Sequence, residues 1–173
     1  CASFDLNVDA GTLTLSFSET VRASSANPRA ITLQDGVTRD RVSVEGVFTL
    51  TGGNFEQTNS HVLVLHFSTP DLNVIKGKTA LAKSKSTTFI VITSQLVVDM
   101  NDNAVVAIPD GSAMQVTLYT PDTTTPHLVS FDLNMDSGVL SLTFSESVKA
   151  STLTITNLVL QNAAANPTQT FTT

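Results

Sequence analysis

The clearest pattern along the chain is a strict alternation of apolar and polar side chains between Gly11 and Ser18. Such a period of two is typical of a strand that buries one face and exposes the other. A second stretch of the same pattern follows much later, so two half-buried strands are predicted from alternation alone. The apolar positions are Leu13, Leu15 and Phe17 in the first stretch, and Leu140, Leu142 and Phe144 in the second.

Shorter runs of apolar and β-branched residues predict further strands, separated by Gly, Pro, Asn and Asp turn signals. The run His61–Phe67 is apolar on both faces, which is typical of a central strand. The fourth predicted strand, 42–51, is expected to contribute to the core through Val42, Val44, Phe48 and Leu50. The predicted strands cover residues 2–7, 11–18, 30–34, 42–51, 61–67, 86–93, 95–98 and 113–120.

One stretch, Thr69–Gly77, has the signals of a short helix. Thr69 is placed as the N-cap, Pro70 as the first helical residue and Gly77 at the C-terminal end. Asp71 falls in the first turn, where the helix dipole favours a negative charge. We expect a crossover helix between strands rather than a functional site.

The opening of the chain is repeated. The stretch Ser3–Ser24 returns as Ser130–Ser151, at an offset of 127 residues and without a gap, and 15 of the 22 aligned positions are identical. Self-similarity at a fixed period indicates an array of modules of ordinary domain size. The sequence therefore predicts a complete module at 1–120, a Pro- and Thr-rich linker at 121–127 and an incomplete second module at 128–173.

Composition favours an all-β fold. Trp is absent, 41% of the residues are hydrophobic and only 14% are charged. Abundant Ser, Thr and Val suit strands with hydroxyl-bearing outer faces better than helices. A single cysteine, Cys1, can form no internal disulfide.

Charge and hydropathy argue against two classes of partner. The net charge is −6, and the nine Lys and Arg residues are scattered, so a nucleic-acid partner is not expected. No run approaches the roughly 18 apolar residues of a membrane helix, and no basic and apolar leader is found, so no membrane insertion is expected.

Four segments carry a resemblance to known proteins. They are 128–148 (LVSFDLNMDSGVLSLTFSESV), 71–76 (DLNVIK), 99–103 (DMNDN) and 122–126 (DTTTP). Together they are similar to the bacterial Ig-like repeats of S-layer proteins and of giant cell-surface and motility proteins. The resemblance implies an Ig-like antiparallel β-sandwich with one short crossover helix, followed by the first strands of a second tandem copy. One departure is Asp102, where many such repeats have Gly.

The late loop 99–103 places four oxygen-bearing side chains close together in sequence. It also resembles the DxNDN calcium motif of cadherins, and oxygen ligands at alternate positions suit Ca²⁺. In cadherins that motif ends a domain, whereas here a whole predicted strand intervenes before the linker. An Asx-rich hairpin turn and a calcium site both stay open. The side chains are Asp99, Asn101, Asp102 and Asn103.

A second set of carboxylate and amide side chains is repeated with the module. Its D-x-N-x-D spacing resembles an EF-hand loop, but the Gly falls one residue late and no Glu stands at the twelfth position, so that motif fails. Calcium at a module junction and a polar strand face followed by a turn both stay open. The residues are Asp5, Asn7 and Asp9, and then Asp132, Asn134 and Asp136.

No combination of residues predicts catalysis. His61, His66 and His127 are too dispersed for a zinc site. No nucleophile elbow, phosphate loop or Ser/His/Asp arrangement is found. The chain is not expected to be an enzyme or to require a cofactor.

The leading hypothesis is a structural repeat module of an extracellular or cell-surface protein, such as a fibre, coat or adhesin stalk, with neighbouring copies as partners. The alternative is a calcium-dependent adhesion module that binds a surface glycan or protein. Aromatic residues make up only 6% of the chain, which argues against a glycan because sugars stack on aromatic rings.

The second module supplies only opening strands, which would leave strand edges and an apolar face uncovered. An arbitrary cut and an assembly element both stay open. In the second case a neighbouring subunit would donate a strand, and repetition of that step would build filaments. The side chains most in need of cover are Leu140, Leu142 and Phe144.

Overall fold

The computed structural model describes residues 1–39 and 43–172. The chain divides into two compact units, Cys1–Thr125 (unit 1) and Pro126–Thr173 (unit 2). The described residues are organised mostly as strands in several sheets, with one α-helix, so the predicted all-β class is confirmed. Val42, expected in the core, lies outside the described residues.

Unit 1 contains two sheets and the helix. The first sheet has the strand order β5-β6-β2-β1-β9 and the second the order β4-β3-β7-β8. The helix, α1, follows β6 of the first sheet and precedes β7 of the second, so it is a crossover element as predicted. The elements are β1 (Ser3–Asn7), β2 (Thr12–Val21), β3 (Ile31–Gln34), β4 (Val47–Thr49), β5 (Asn54–Phe55), β6 (Ser60–His66), α1 (Thr69–Gly77), β7 (Phe89–Ile92), β8 (Met114–Gln115) and β9 (Leu118–Thr120).

One strand pair departs from the antiparallel arrangement expected from the sequence. β9 runs parallel to β1, with Leu118 opposite Asp5 and Thr120 opposite Asn7. Every other strand pair in the described residues of unit 1 is antiparallel. A parallel pair needs a long connection rather than a hairpin. β1 and β9 are the first and last strands of unit 1, so the rest of the unit forms that connection.

Buried side chains from both sheets join in one hydrophobic cluster. The alternation in β2 has the predicted effect, because Leu13, Leu15 and Phe17 are buried while the hydroxyl residues between them are only partly covered. β6 lies between β5 and β2, and its Leu63 and Leu65 are buried in the same cluster.

The helix has the predicted bounds, but its cap lies one residue earlier. Ser68, not Thr69, is the N-cap, and its hydroxyl accepts a hydrogen bond from the N–H of Asp71 at 3.3 Å. The Asp71 side chain is buried and accepts hydrogen bonds from the N–H groups of Thr51 and Gly52 at 2.8 and 3.1 Å. This carboxylate therefore ties the helix to the segment that follows β4.

The strand predicted at 42–51 is much shorter in the structure. β4 covers only Val47–Thr49, because a bend and a turn occupy the residues just before it. Val44 is consequently 72% exposed, which contradicts its predicted place in the core. Phe48 is partly buried against the core and Leu50 is fully buried.

Two other predicted strands also differ. The segment 95–98 forms a turn and an isolated bridge, with Leu96 and Val97 buried, rather than a strand of either sheet. The segment 113–120 is divided between β8 of the second sheet and β9 of the first. The buried Val116 lies where the chain passes from one sheet to the other.

Unit 2, as far as it is described, consists of two antiparallel strand pairs, β10 with β11 and β12 with β13. Phe131 and Leu133 of β10 are 56% and 43% exposed. No described helix of either unit is long and apolar enough to span a membrane. The elements are β10 (Leu128–Asn134), β11 (Val139–Phe144), β12 (Val159–Gln161) and β13 (Thr170–Thr172), with short 3-10 turns at Ala150–Thr152 and Ile155–Asn157.

Candidate functional sites

The late loop folds around the Asp99 carboxylate. One of its oxygens accepts hydrogen bonds from the N–H groups of Asn101 and Asn103, both at 2.8 Å. The other oxygen accepts from the side-chain amide of Asn103 at 2.7 Å. Asn103, first through its side chain and then through its N–H, holds the pKa of Asp99 below its ordinary value of 3.8. The hydrogen bonds of this loop therefore favour the charged form of the carboxylate.

Asp102 occupies the sharp corner of the same loop. Its φ of +67° lies in the left-handed region that favours Gly, and Asp tolerates this region better than most residues. Gly would adopt the same φ without strain. The Asp102 carboxylate accepts a hydrogen bond from Arg22 at 2.7 Å.

The late loop therefore brings its four predicted residues together as a turn. The Asp99 oxygens are engaged by groups of the loop itself, and Asp102 faces Arg22. Across 1–39 and 43–172, no three His, Cys, Asp or Glu side chains are grouped in a way that could hold a metal ion. This geometry supports the Asx-turn interpretation, and calcium stays a prediction.

The first copy of the repeated Asp/Asn set serves three different parts of unit 1. Asp5 accepts a hydrogen bond from the N–H of Leu118 in β9 at 3.0 Å. Asn7 accepts one from the N–H of Ala10 at 2.8 Å and so closes the turn between β1 and β2. Asp9 instead binds the linker, as described next. These side chains are thus used one by one rather than as a shared cation site.

Asp9 holds the linker against unit 1. One carboxylate oxygen accepts hydrogen bonds from the N–H groups of Thr123 and Thr124 at 2.9 and 3.0 Å, and from the Thr124 hydroxyl at 2.9 Å. The Thr123 N–H, followed by the groups of Thr124, lowers the pKa of Asp9 from its ordinary value of 3.8. The linker is therefore anchored to unit 1 as far as its fourth residue, Thr124.

A second linker contact was not foreseen from the sequence. Asp122 forms an ion pair with Lys76 at the end of α1, with 3.0 Å between the Lys76 Nζ and a carboxylate oxygen. Lys83 and Tyr119 line the same small pocket. Burial lowers the pKa of Lys83, which Asp122 partly opposes, and raises the pKa of Tyr119. Lys76 ends the segment 71–76 and Asp122 begins the segment 122–126. Both segments were quoted for the predicted resemblance, and this was the sequence signal that could have drawn attention to the two residues.

The second copy of the Asp/Asn set repeats only the turn contact. Asn134 accepts hydrogen bonds from the N–H groups of Asp136 and Ser137, both at 2.9 Å. Asp132 and Asp136 are exposed, and their carboxylates accept no hydrogen bond from the described part of the chain. Unit 2 thus reproduces the contact of Asn7 but not those of Asp5 and Asp9.

Local geometry recurs at the 127-residue offset beyond this turn. Gly11 and Gly138 both have a φ of +66°. Leu6 faces Leu13 in the β1–β2 pair, as Leu133 faces Leu140 in the β10–β11 pair. The 3-10 turns at Ala23–Ser25 and Pro28–Ala30 correspond to those at Ala150–Thr152 and Ile155–Asn157.

Burial differs sharply between the corresponding strands. β2 is paired on both sides, with β1 and β6, whereas β11 is paired only with β10 in the described residues. Leu140, Leu142 and Phe144 are partly exposed, although their counterparts in β2 are buried. The three residues predicted from the sequence to need cover therefore lie on one partly exposed face of β11.

No family model, curated protein or solved structure matches the chain. The Ig-like resemblance accordingly stays a prediction from the four sequence segments.

The candidate sites share one chemical function. Their carboxylates accept hydrogen bonds from backbone N–H groups. Asp99 thereby fixes a turn, Asp5 an edge strand and Asp9 the linker. Such charge-assisted hydrogen bonds are shorter and stronger than neutral ones. These carboxylates therefore stabilise the fold of unit 1, chiefly where its first strand and turn meet its last strand and the linker.

Proposed function

We propose that the chain is a structural repeat module of an extracellular or cell-surface protein and that unit 1 bears tension. In this proposal unit 1 is an Ig-like β-sandwich and unit 2 belongs to a second tandem copy. Two sheets that share one hydrophobic cluster support the first statement. The recurrence of strands, turns and a positive-φ Gly at one fixed offset supports the second.

The observation that carries the proposal is the parallel pairing of β1 with β9. These are the terminal strands of unit 1. In a parallel pair, the start of one strand and the end of the other lie at opposite ends. Tension along the chain therefore pulls β1 and β9 past each other, and several hydrogen bonds must break together.

Backbone hydrogen bonds beyond both ends of the β1–β9 pair reinforce it. The N–H of Thr117 donates to the carbonyl of Phe4 at 2.8 Å, and the N–H of Val8 donates to the carbonyl of Thr120 at 2.9 Å. The Asp5 carboxylate adds its bond to β9. The bonds of Asp9 to Thr123 and Thr124 extend these contacts into the linker.

Force spectroscopy on the full chain, placed between reference domains of known length, tests the proposal. We expect one main unfolding event with a length gain of roughly 40 nm, the extended length of the 125 residues of unit 1. Extension without a resolved force peak would contradict a load-bearing role.

A matched pair of variants tests the proposed clamp. Asp5→Ala removes the side-chain acceptor of the Leu118 N–H and should lower the unfolding force of unit 1. Asp132→Ala makes the same change at the corresponding position of unit 2 and should leave that force unchanged. Equal forces in wild type and Asp5→Ala would show that this contact carries no load.

A further inference from the structure

Each unit holds one end of the Pro- and Thr-rich linker. On the side of unit 1, Asp9 accepts hydrogen bonds from the N–H groups and the hydroxyls of Thr123 and Thr124. On the side of unit 2, the N–H of His127 donates to the Ser145 hydroxyl at 3.0 Å, and the N–H of Ser145 donates to the carbonyl of His127 at 2.9 Å. The linker is therefore fixed from both of its ends inwards.

Between these two sets of contacts lie Thr125 and Pro126. Both residues are exposed, and within residues 1–39 and 43–172 neither of them donates or accepts a hydrogen bond. Pro126 fixes its own φ and confines the preceding Thr125 to extended backbone. The stretch that no hydrogen bond fixes is therefore short, and it retains few free backbone torsions.

We infer that the hinge between the two units is confined to Thr125 and Pro126, and that Asp9 and Lys76 form a latch that keeps the hinge this short. Asp9 binds the linker threonines, and Lys76 forms its ion pair with Asp122. Opening of the latch would free residues 121–124 as well, so that the hinge would cover 121–126 instead of 125–126. The four added residues correspond to at most roughly 14 Å of extended chain.

Two kinds of contact favour the closed latch. One Asp9 oxygen accepts the hydrogen bonds from both threonines, and charge-assisted hydrogen bonds are stronger than neutral ones. The side chains of Lys76 and Asp122 are 12% and 29% exposed, so solvent and salt weaken their ion pair less than a fully exposed one. The latch therefore has two separate anchors on unit 1, Asp9 in the turn after β1 and Lys76 in the last turn of α1.

Backbone ¹⁵N relaxation on the full chain tests the inference, because it gives an order parameter for each amide. We expect values typical of rigid backbone, above about 0.8, at Thr123 and Thr124 and a value below about 0.6 at Thr125. His127, whose N–H is held by Ser145, should again be rigid. Low values already at Thr123 and Thr124 would overturn the latch, and a rigid Thr125 would overturn the position of the hinge.

Variants test the two anchors of the latch. The double variant Asp9→Ala/Asp122→Ala removes both carboxylates, and the order parameters of Thr123 and Thr124 should then fall to that of Thr125. Asp136→Ala is the matched control, since its exposed carboxylate accepts no hydrogen bond from the described part of the chain. The amides of β2 should stay rigid in both proteins, which shows that unit 1 is folded. Unchanged values at the two threonines of the double variant would overturn the latch.

A variant of the hinge itself leaves the latch intact. Pro126→Gly frees the φ that proline fixes, so the order parameter of Thr125 should fall further while those of Thr123 and Thr124 stay high. An unchanged value at Thr125 would show that Pro126 is not part of the hinge, and mobility that spreads to Thr123 would show that the latch does not limit it. These measurements apply no tension and do not rest on the load-bearing role proposed for unit 1. The relaxation and force experiments can therefore fail separately.

Discussion

Asp9 and Thr124 lie 115 positions apart in the chain and are joined by two hydrogen bonds. The N–H and the hydroxyl of Thr124 both donate to one Asp9 oxygen, at 3.0 and 2.9 Å. Lys76 forms an ion pair with Asp122, which is a second contact between unit 1 and the linker. The first part of the Pro- and Thr-rich segment is therefore structurally part of unit 1.

Removal of the Asp9 carboxylate should release the linker. In Asp9→Ala, we expect the amides of Thr123 and Thr124 to exchange roughly ten times faster, because they lose a charged acceptor. Hydrogen exchange at residue resolution measures this change. Asp136→Ala is the matched control, since Asp136 makes no corresponding bond in the described residues, and it should leave both amides unchanged. Unchanged exchange in Asp9→Ala would show that other contacts hold the linker.

Acid should destabilise the protein through Asp9 and Asp99. Hydrogen bonds from Thr123 and from Asn103 lower the respective pKa values in the folded state, below the ordinary value of 3.8. Between the folded and the ordinary value the unfolded state binds more protons, so the free energy of unfolding rises with pH there. The stabilisation is complete above about pH 4 and is lost as pH falls through the folded values.

Urea denaturation at pH 7, 5, 4, 3 and 2.5 measures this dependence. Wild type should lose stability mainly below pH 4. Asp99→Asn should have a shallower acid slope, because this position no longer titrates. Asp136→Asn, whose carboxylate accepts no hydrogen bond from the described residues, should have the wild-type slope. An identical slope in all three proteins would contradict the role given to Asp99.

The buried Asp71 should matter more for stability than its surface neighbour Asn73. Asp71→Ala leaves the N–H groups of Thr51 and Gly52 without their acceptor. A hydrogen bond to a charged group contributes about 1.5–3 kcal/mol, and the buried Asp71 carboxylate accepts two from these N–H groups, so we expect a loss of about 3 kcal/mol in the free energy of unfolding. Asn73→Ala, on the exposed side of the helix, should change it by less than about 0.5 kcal/mol. Equal effects would show that Asp71 has no special role.

Features that depend on neighbouring residues could be predicted from the sequence. Alternation located the buried face of β2, and cap and turn signals located Thr69–Gly77 as the helix. Val44 was misplaced because an apolar residue next to a strand was read as part of it. Its segment bends instead, which leaves the side chain exposed.

Contacts between distant segments could not be predicted in the same way. Nothing in the local pattern around Asp9 indicates that it meets the linker. The spacing of Asp5, Asn7 and Asp9 left open a shared calcium site and a polar strand face followed by a turn. Asp5 and Asn7 lie in the extended β1 and Asp9 in the turn after it, so each side chain meets whichever backbone lies beside it. Asn7 finds its partner in the local turn, whereas the partners of Asp5 and Asp9 are set by the parallel return of β9 and by the linker that follows it.

The turn between β1 and β2 offers a last prediction, because Gly11 and Gly138 share one backbone conformation in different surroundings. Both have a φ of +66°, where a side chain costs about 1–2 kcal/mol. A Cβ on Gly11 would also lie 2.9 Å from a methyl group of Leu72, whereas a Cβ on Gly138 meets nothing within 4 Å. Gly11→Ala should therefore destabilise unit 1 by about 2 kcal/mol.

The fluorescence of Tyr119 measures this effect, since it is the single tyrosine, no Trp is present, and it lies in unit 1. Gly138→Ala should leave its unfolding curve unchanged. Gly11→Asn separates strain from crowding, because Asn tolerates the left-handed region but is larger than Ala. A milder effect of Asn than of Ala would identify backbone strain as the main cost. An equal or larger effect would identify the contact with Leu72, and no effect of either would contradict both causes.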